Sequence, residues 1–534
     1  MNTKFYQILI LLCGFVFFSS CEDDTIVPKP VDRFTELTAF DTPDHCELSV
    51  VGVYSQAQSG LYPANGSTRG YPFGAASVLQ SDMRGEDMMN VDAFFQVTYE
   101  ATYTAAASAA NNDAMWQNSF SVIAGANLVI DGVTEAIADG ILPAAIGEAY
   151  IGECRFLRAL TYHNLLLYFA RPFAEQGNKR YGLPYFDYPM NTQDNIDKAA
   201  EHGRDNLDVC YAKILEDLDY AEAKLAAGHS VNKITRATKG AAIALKARVM
   251  MHKGDWTGAK TEAAKLVGSG FTSPIGGYAL TADPISPFHS FASNSESIFS
   301  VENGPMRNAT VNGSLNQLLT MSGGGRALVA VSPIGYNNPY WLAADKRRDM
   351  FEINGAGLYF TTKYNNSVAE MSSYAPIIRY AEVLLTYAEA IIRSGGTVEE
   401  ALPYLNAVRN RSLENPSADA YTGFADTKAF MTALLAERRI EFIAEGRRWE
   451  DIHRLLLDPD YSTGGVPAKA HRITITDVLI PGGTPVYVVG GEVPAAALTT
   501  IPAIPYNDRR CIWPIPESTT TRNPTLHSQQ NEGW

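Results

Sequence analysis

From residue 113 onward, apolar side chains recur at helical steps. Trp116, Phe120, Ile123, Asn127 and Ile130 are spaced four, three, four and three within residues 113–133. That spacing lines one face of a helix. Residues 144–169 repeat the pattern with Tyr150, Cys154, Leu157, Tyr162, Leu165 and Phe169, and stop before Pro172. Residues 206–225 pair with 239–251, after which Gly254-Asp255-Trp256 turns the chain into a further helix over 259–267. Residues 380–393 pair with 399–411 across Gly395-Gly396.

A fourth pair contains residues 434–456, LLAERRIEFIAEGRRWEDIHRLL, around which the chain is organised. Leu435, Phe442, Trp449, Ile452 and Leu456 share one helical face. Glu437, Arg438, Glu441, Glu445 and Arg448 occupy the others, at the three- and four-residue steps that pair acid with base along a surface. Gly446 falls mid-helix, where glycine costs about 1 kcal/mol against alanine. Its presence predicts that a neighbouring backbone packs close against it. Two stretches break the helical rhythm. Residues 55–101 and 268–363 are rich in Gly, Pro, Tyr and Asn, with short β-like runs at 297–302 and 327–331. Loops that long are functional or disordered, and their aromatic content argues against disorder. Residues 473–489 read as a β-hairpin.

The run ALKARVMMHKGDWTGA resembles a tetratricopeptide helix–turn–helix, in which small residues let two helices approach closely. The run ERRIEFIAEGRRWEDIHR resembles the signature helix of the SusD/RagB family of nutrient-binding outer-membrane lipoproteins. Three further features are similar to that family. They are Glu153-x-Arg155-Phe156-x-Arg158-Ala159, Arg379-Tyr380-Ala381-Glu382, and the ending Ile512-Trp513-Pro514-Ile515-Pro516, Asn523-Pro524 and Asn531-Glu532-Gly533-Trp534. Trp534 stands where the family usually has Tyr. The resemblance implies a mostly α-helical, SusD-like fold with about four tetratricopeptide-like helix pairs, long irregular loops and short β-hairpins. The expected division is a signal over 1–20, a tether over 21–45, an N-terminal region over 46–270 and a C-terminal region over 271–534.

The first residues follow another logic. Lys4 gives a positive start, residues 8–18 an apolar run, and Ser19-Ser20-Cys21 a small-residue cleavage site. The apolar run falls short of the ~20 residues that span a bilayer. A cysteine directly after the small residues is the pattern of a bacterial lipoprotein, with Cys21 as the acylated N-terminus; Phe18 stands where Leu is usual. Glu22-Asp23-Asp24 resembles a surface-export signal of such lipoproteins, and Pro28 and Pro30 keep the stretch a tether.

Charge and composition narrow the function. A net charge of −15 over 534 residues argues against nucleic acid. The 27 Tyr suit wet contact surfaces, since the ring is apolar and the hydroxyl is not. Cys46, Cys154, Cys210 and Cys511 are isolated, which excludes a zinc motif and a disulfide framework while leaving room for one bridge. There is no H-E-x-x-H, G-x-S-x-G, G-x-G-x-x-G or P-loop lysine, and Gly323-Gly324-Gly325 is a loop. The nine His form no metal-spaced cluster; His163, on an apolar helix, reads as a satisfied core residue. No catalytic residue, cofactor or metal is expected.

A binder fits better. Sugars are held by flat rings and by Asp, Asn and Arg donors and acceptors on loops over a rigid scaffold. The resemblance implies a glycan platform in the two irregular stretches. The candidate ligand residues are Tyr62, Tyr71, Phe73, Asp82 and Arg84 in the first, and Asn338, Tyr340 and Trp341 in the second. Tyr340-Trp341 leads because Asn337, Asn338 and Pro339 precede it; Asp82 and Arg84 alternatively form an internal ion pair. The resemblance also implies a protein lipid-anchored to the outer membrane at the cell surface, delivering oligosaccharide to a SusC-like TonB-dependent transporter. Capture of oligopeptides is the alternative within binding proteins. A tetratricopeptide scaffold for protein partners and a secreted hydrolase are alternatives of other classes.

Overall fold

The computed structural model describes residues 38–62, 66–92, 94–106, 110–175, 180–228, 234–366, 368–470, 486–494 and 501–534. The signal, Cys21 and most of the tether lie outside the described residues, as do residues 473–485 of the expected hairpin.

The periodic segments fold as helices at nearly the expected bounds. After α1 (Pro43–Ser59) and α2 (Ala75–Arg84) come α3 (Ala110–Ala138), α4 (Ala144–Phe169), α5 (Leu207–Lys224), α6 (Lys239–Lys253) and α7 (Trp256–Ala264). The C-terminal half adds α8 (Tyr380–Arg393), α9 (Val398–Asn410), α10 (Thr427–Glu441) and α11 (Arg448–Leu455). From α3 to α9 each helix packs on the next, and α10 packs on α8 and α9.

Local chemistry sets these bounds. Thr238 Oγ1 accepts from Ala241 N to start α6, and Gly254, at φ 76°, ends it in the left-handed turn that glycine reaches without strain. Asp255 Oδ1 then accepts from Gly258 N and starts α7. A full capping box, Thr397 with Glu400, opens α9.

Short strand pairs tie the connections together. β1 (Gly60–Leu61) pairs with β2 (Thr68–Tyr71), β3 (Met88–Asn90) with β4 (Val329–Val331), and β5 (Ser297–Val301) with β6 (Ala375–Arg379), all antiparallel. The first irregular stretch is therefore not all loop. It holds α2, every residue of which is buried.

The signature run differs from its expected form in two ways. First, it is two helices, not one. The chain leaves α10 after Glu441, passes Ala444 (φ 63°) and Gly446 (φ 72°) in left-handed conformations, and re-enters a helix at Arg448. The close backbone predicted at Gly446 is present: a Cβ there would lie 2.7 Å from Val78 Cα. Second, its charges do not pair along a surface. Arg347 meets Glu437 (2.6 Å) and Glu441 (3.0 Å); Arg379 meets Glu296, Glu441 (2.9 Å) and Glu445 (2.8 Å). Arg411 bridges Glu296 and Glu441, and Lys363 lies 2.7 Å from Glu445. Arg438 and Arg454 hold Asp451, each at 2.8 Å, while Arg448 reaches back to Glu86 on the far side of α2.

All of these groups are buried or nearly so. Burial alone raises a carboxyl, but at Glu441 the guanidiniums of Arg411, Arg379 and Arg347 outweigh it and hold the group well below the usual range. Charges taken out of water survive only when matched this way, so the run acts as an internal ionic hub. Its apolar face anchors the same junction: Trp449 Nε1 donates to Leu167 O at 2.8 Å, tying α11 to α4.

The chain's ending closes on that junction. Trp513 stacks on Tyr168 (4.6 Å between ring centres), and Asn531 Nδ2 donates to Phe169 O and Trp513 O. Cys46, Cys154, Cys210 and Cys511 are free and buried. His163 is buried as expected but not satisfied: its Nε2 has no partner, and its ring packs 4.7 Å from that of His252.

Candidate functional site

Three segments far apart in sequence meet beside the β3–β4 ladder. Past the ladder, Val91 N donates to Leu328 O at 3.1 Å, which carries the pairing of the two chains one residue beyond β3 and β4, toward Phe94 and Arg326. The β1–β2 pair joins them through Arg69, whose guanidinium lies over the Phe94 ring, while Thr68 Oγ1 donates to Ala309 O at 3.1 Å. Tyr62 N donates to Ser67 O at 2.7 Å, which holds Tyr62 beside the start of β2.

The result is a tier of rings and guanidiniums. Arg69 lies over the Tyr62 ring at 4.7 Å and over the Phe94 ring at 4.6 Å; Arg326 lies 5.4 Å from the Phe94 ring centre. Arg69 Nε donates to Ser67 Oγ (3.2 Å), and Arg326 Nη1 donates to Asn312 Oδ1 (2.7 Å). Tyr62, Arg69 and Phe94 are half-buried and Arg326 is exposed. Leu61 on β1, Val97, and Met306 and Val311 in the 304–312 connection are exposed apolar side chains, with Met306 98 % exposed. Clustered exposed apolar groups mark contact surfaces.

A second aromatic group lies at the other end of the ladder. Tyr487 Oη donates to Val331 O at 2.7 Å. Its ring meets Tyr336 and Tyr359 edge-on, and those two stack at 4.5 Å. The bond to Tyr336 pushes the Tyr359 hydroxyl up to about 12. Arg348 covers Tyr336 (4.6 Å) and Trp341 (4.4 Å). Elsewhere, a cleft of about 1080 Å³ opens between α3, residues 184–200 and the C-terminal segment. Its lining combines the apolar Phe120, Phe186 and Ile196 with the polar Thr519, Thr521 and Arg522.

The structure separates the expected ligand residues. Tyr62 joins the ring–guanidinium tier, and Tyr340 is half-buried beside the second group. The other six are interior, which corrects the expectation that they face solvent. Tyr71 Oη lies between Asn111 and Gln80, and Phe73 packs in the core. Asp82 and Arg84 do not pair with each other. Asp82 accepts from Gly446 N at 3.0 Å, and burial pushes its carboxyl up. Arg84 donates to Tyr103 Oη (3.0 Å) and Cys511 O (2.5 Å), with Trp449 3.9 Å beneath it. Asn338 Oδ1 accepts from Tyr340 N, fixing the turn, and Trp341 is 1 % exposed against Tyr336 and Phe351. Asp82 and Arg84 are interior because α2 packs on α11, and Trp341 because it packs on Tyr336 and Phe351.

Arg69, Phe94, Asn312 and Arg326 were not among the expected ligand residues. Their only sequence signals are weak: Arg326 directly follows a glycine triplet, and Arg69 ends a polar run in a Gly-rich hairpin. Among the described residues, no group of three or more His, Cys, Asp or Glu is placed to hold a metal ion.

Fold and site together define a mostly helical scaffold whose long connections build a ring-bearing face. Two family models match it: the SusD family over residues 295–534, and a SusD-like family described as starch-binding and associating with the outer membrane over residues 50–251. The chain belongs to the SusD/RagB family. It is similar to SusD-like protein P25 of Formosa agariphila, 22 % identical over 510 residues, 84 % of this chain and 90 % of the relative. Among solved structures it resembles a SusD superfamily protein of Bacteroides fragilis, with TM-score 0.70, 23 % identity and 91 % and 99 % of the two chains covered. It also resembles surface glycan-binding protein A of Bacteroides uniformis, with TM-score 0.67, 18 % identity and 92 % and 99 % covered.

Proposed function

We propose that this protein captures an oligosaccharide at the Tyr62–Arg69–Phe94–Arg326 tier and delivers it to a SusC-like TonB-dependent transporter. It does so without covalent chemistry. Cys21 carries the lipid that holds it on the cell-surface side of the outer membrane. The helix stack, read as tetratricopeptide-like pairs, forms the rigid back that meets the transporter.

The observation that carries this reading is the tier itself. Ring faces attract the C–H edges of a sugar, while Asn312 and the arginines supply donors and an acceptor for its hydroxyls. Support also comes from the relatives, one of which is described as a surface glycan-binding protein and a family of which is described as starch-binding at the outer membrane. A small stacking site gives a Kd of roughly μM to mM. Oligopeptide capture is a second reading, favoured by the exposed apolar Leu61 next to Tyr62 in the chain.

The test is retention on glycan-containing gels and calorimetric titration, run beside a peptide panel. Phe94→Ala and Tyr62→Ala weaken saccharide binding with the melt unchanged. Release of saccharide products by the purified protein, or binding of peptides alone, overturns the reading. Cys21→Ala abolishes lipid labelling and frees the protein from the membrane fraction; unchanged membrane retention overturns the anchor.

A further inference from the structure

Rings and amide groups suffice to hold a neutral sugar, so the two arginines of the tier need a separate explanation. The chain carries a net charge of −15, and its buried arginines in the hub are matched to carboxylates. Arg69 and Arg326 reverse this locally. Both guanidiniums lie within 5.4 Å of the Phe94 ring centre, and among the described residues neither has a carboxylate within ion-pair reach. Each uses one N–H on a neutral oxygen, Ser67 Oγ or Asn312 Oδ1. A guanidinium has five donors in a planar fork, so most of each fork is left for a ligand.

Two like charges beside one ring repel each other, and the ring faces offset this only in part. What completes the arrangement is an anion between or across the two forks. The anion must belong to a molecule that also stacks, because the same forks lie on Tyr62 and Phe94. An anionic membrane does not fit, since its headgroups present no flat face to the Tyr62 and Phe94 rings.

We propose that the captured saccharide is anionic, bearing uronate carboxylates or sulfate esters that Arg69 and Arg326 hold by charge-assisted hydrogen bonds. This rests on the reading of the tier as the saccharide seat. It makes Phe94 a shared floor: the ring positions both guanidiniums and takes the sugar face next to the charged one.

The test uses the mature chain carrying Cys21→Ala, so that it is soluble, on an array of neutral, uronate-containing and sulfated oligosaccharides, followed by calorimetry on the best binder. The expected result is preference for one acidic class. The double variant R69Q/R326Q weakens that binder about tenfold or more, as loss of charge-assisted contacts predicts. It also flattens the loss of binding with added NaCl relative to wild type, and leaves the melt unchanged. The uronate and sulfate arms tell the two anions apart. Neutral oligosaccharides bound as tightly as acidic ones, with R69Q/R326Q indistinguishable from wild type, overturn the anionic assignment and leave saccharide capture standing. No binding of any saccharide overturns both.

Discussion

Arginine is used in opposite ways in two regions of this molecule. In the hub, Arg347, Arg379 and Arg411 are buried, and each is met by two or more carboxylates. At the tier, Arg69 and Arg326 sit on rings and meet none among the described residues. The difference is solvent. A buried guanidinium loses its hydration and needs fixed acceptors, carboxylates in the hub and the oxygens of Tyr103 and Cys511 at Arg84; a partly exposed one keeps water and is free for a ligand. The same residue type is thus structural where water is excluded and available where it is not.

Substitutions in each region, and acid, break or sharpen that contrast. Arg379→Met leaves Glu296, Glu441 and Glu445 short of their cation and costs about 3–5 kcal/mol in chemical denaturation. Arg326→Met costs under about 0.5 kcal/mol by the same measurement. Equal losses would end the distinction.

Trp341→Ala, in the interior, costs about 3–5 kcal/mol. Gly446→Ala adds a side chain at φ 72° and 2.7 Å from Val78 Cα, and costs about 1–3 kcal/mol. Tyr62→Ala should leave the melt nearly unchanged, since its ring is on the surface.

Acid probes the hub without mutation. Burial lowers the pKa values of His163, His252 and His453, the last to about 4. These groups contribute stability that is present above the unfolded value of about 6.5 and is lost as pH falls toward their folded values. Glu382 and Glu86, held at about 2 by arginines despite burial, extend the loss below about 4.5. Asp82, Glu437 and Glu450, raised by burial, act in the opposite sense and offset part of it. The melting temperature therefore falls by a few degrees between pH 7 and 5 and more steeply below. A flat profile would mean that the hub is not electrostatically poised. The smallest effect is Asn312→Ala, which removes one acceptor from Arg326 and weakens saccharide binding by about twofold at unchanged stability.

Much of the scaffold was legible because it is local. The bounds of α4 and α8 follow from apolar periodicity, and those of α6, α7 and α9 from Thr238, Gly254, Asp255 and Thr397, all within a few residues of the ends they set. The signature run was legible as the organiser but misread in form. Periodicity continued through Gly446, while the turn there is imposed by Val78 across the interior. The exposed face was the least legible. Trp341 and Tyr71 sit in Gly- and Asn-rich sequence like surface residues, yet Tyr336 and Phe351 cover the first, and Gln80 and Asn111 enclose the hydroxyl of the second.

The amino-acid sequence by itself determined the helix stack, the family and the acid–base composition of the hub, because short-range spacing carries that information. Only the tertiary structure decided which rings meet solvent and which arginines lack a carboxylate. Exposure and ion pairing depend on segments hundreds of residues apart: the β3–β4 ladder and the Thr68–Ala309 bond bring Tyr62, Arg69, Phe94 and Arg326 together, and no local pattern encodes that meeting.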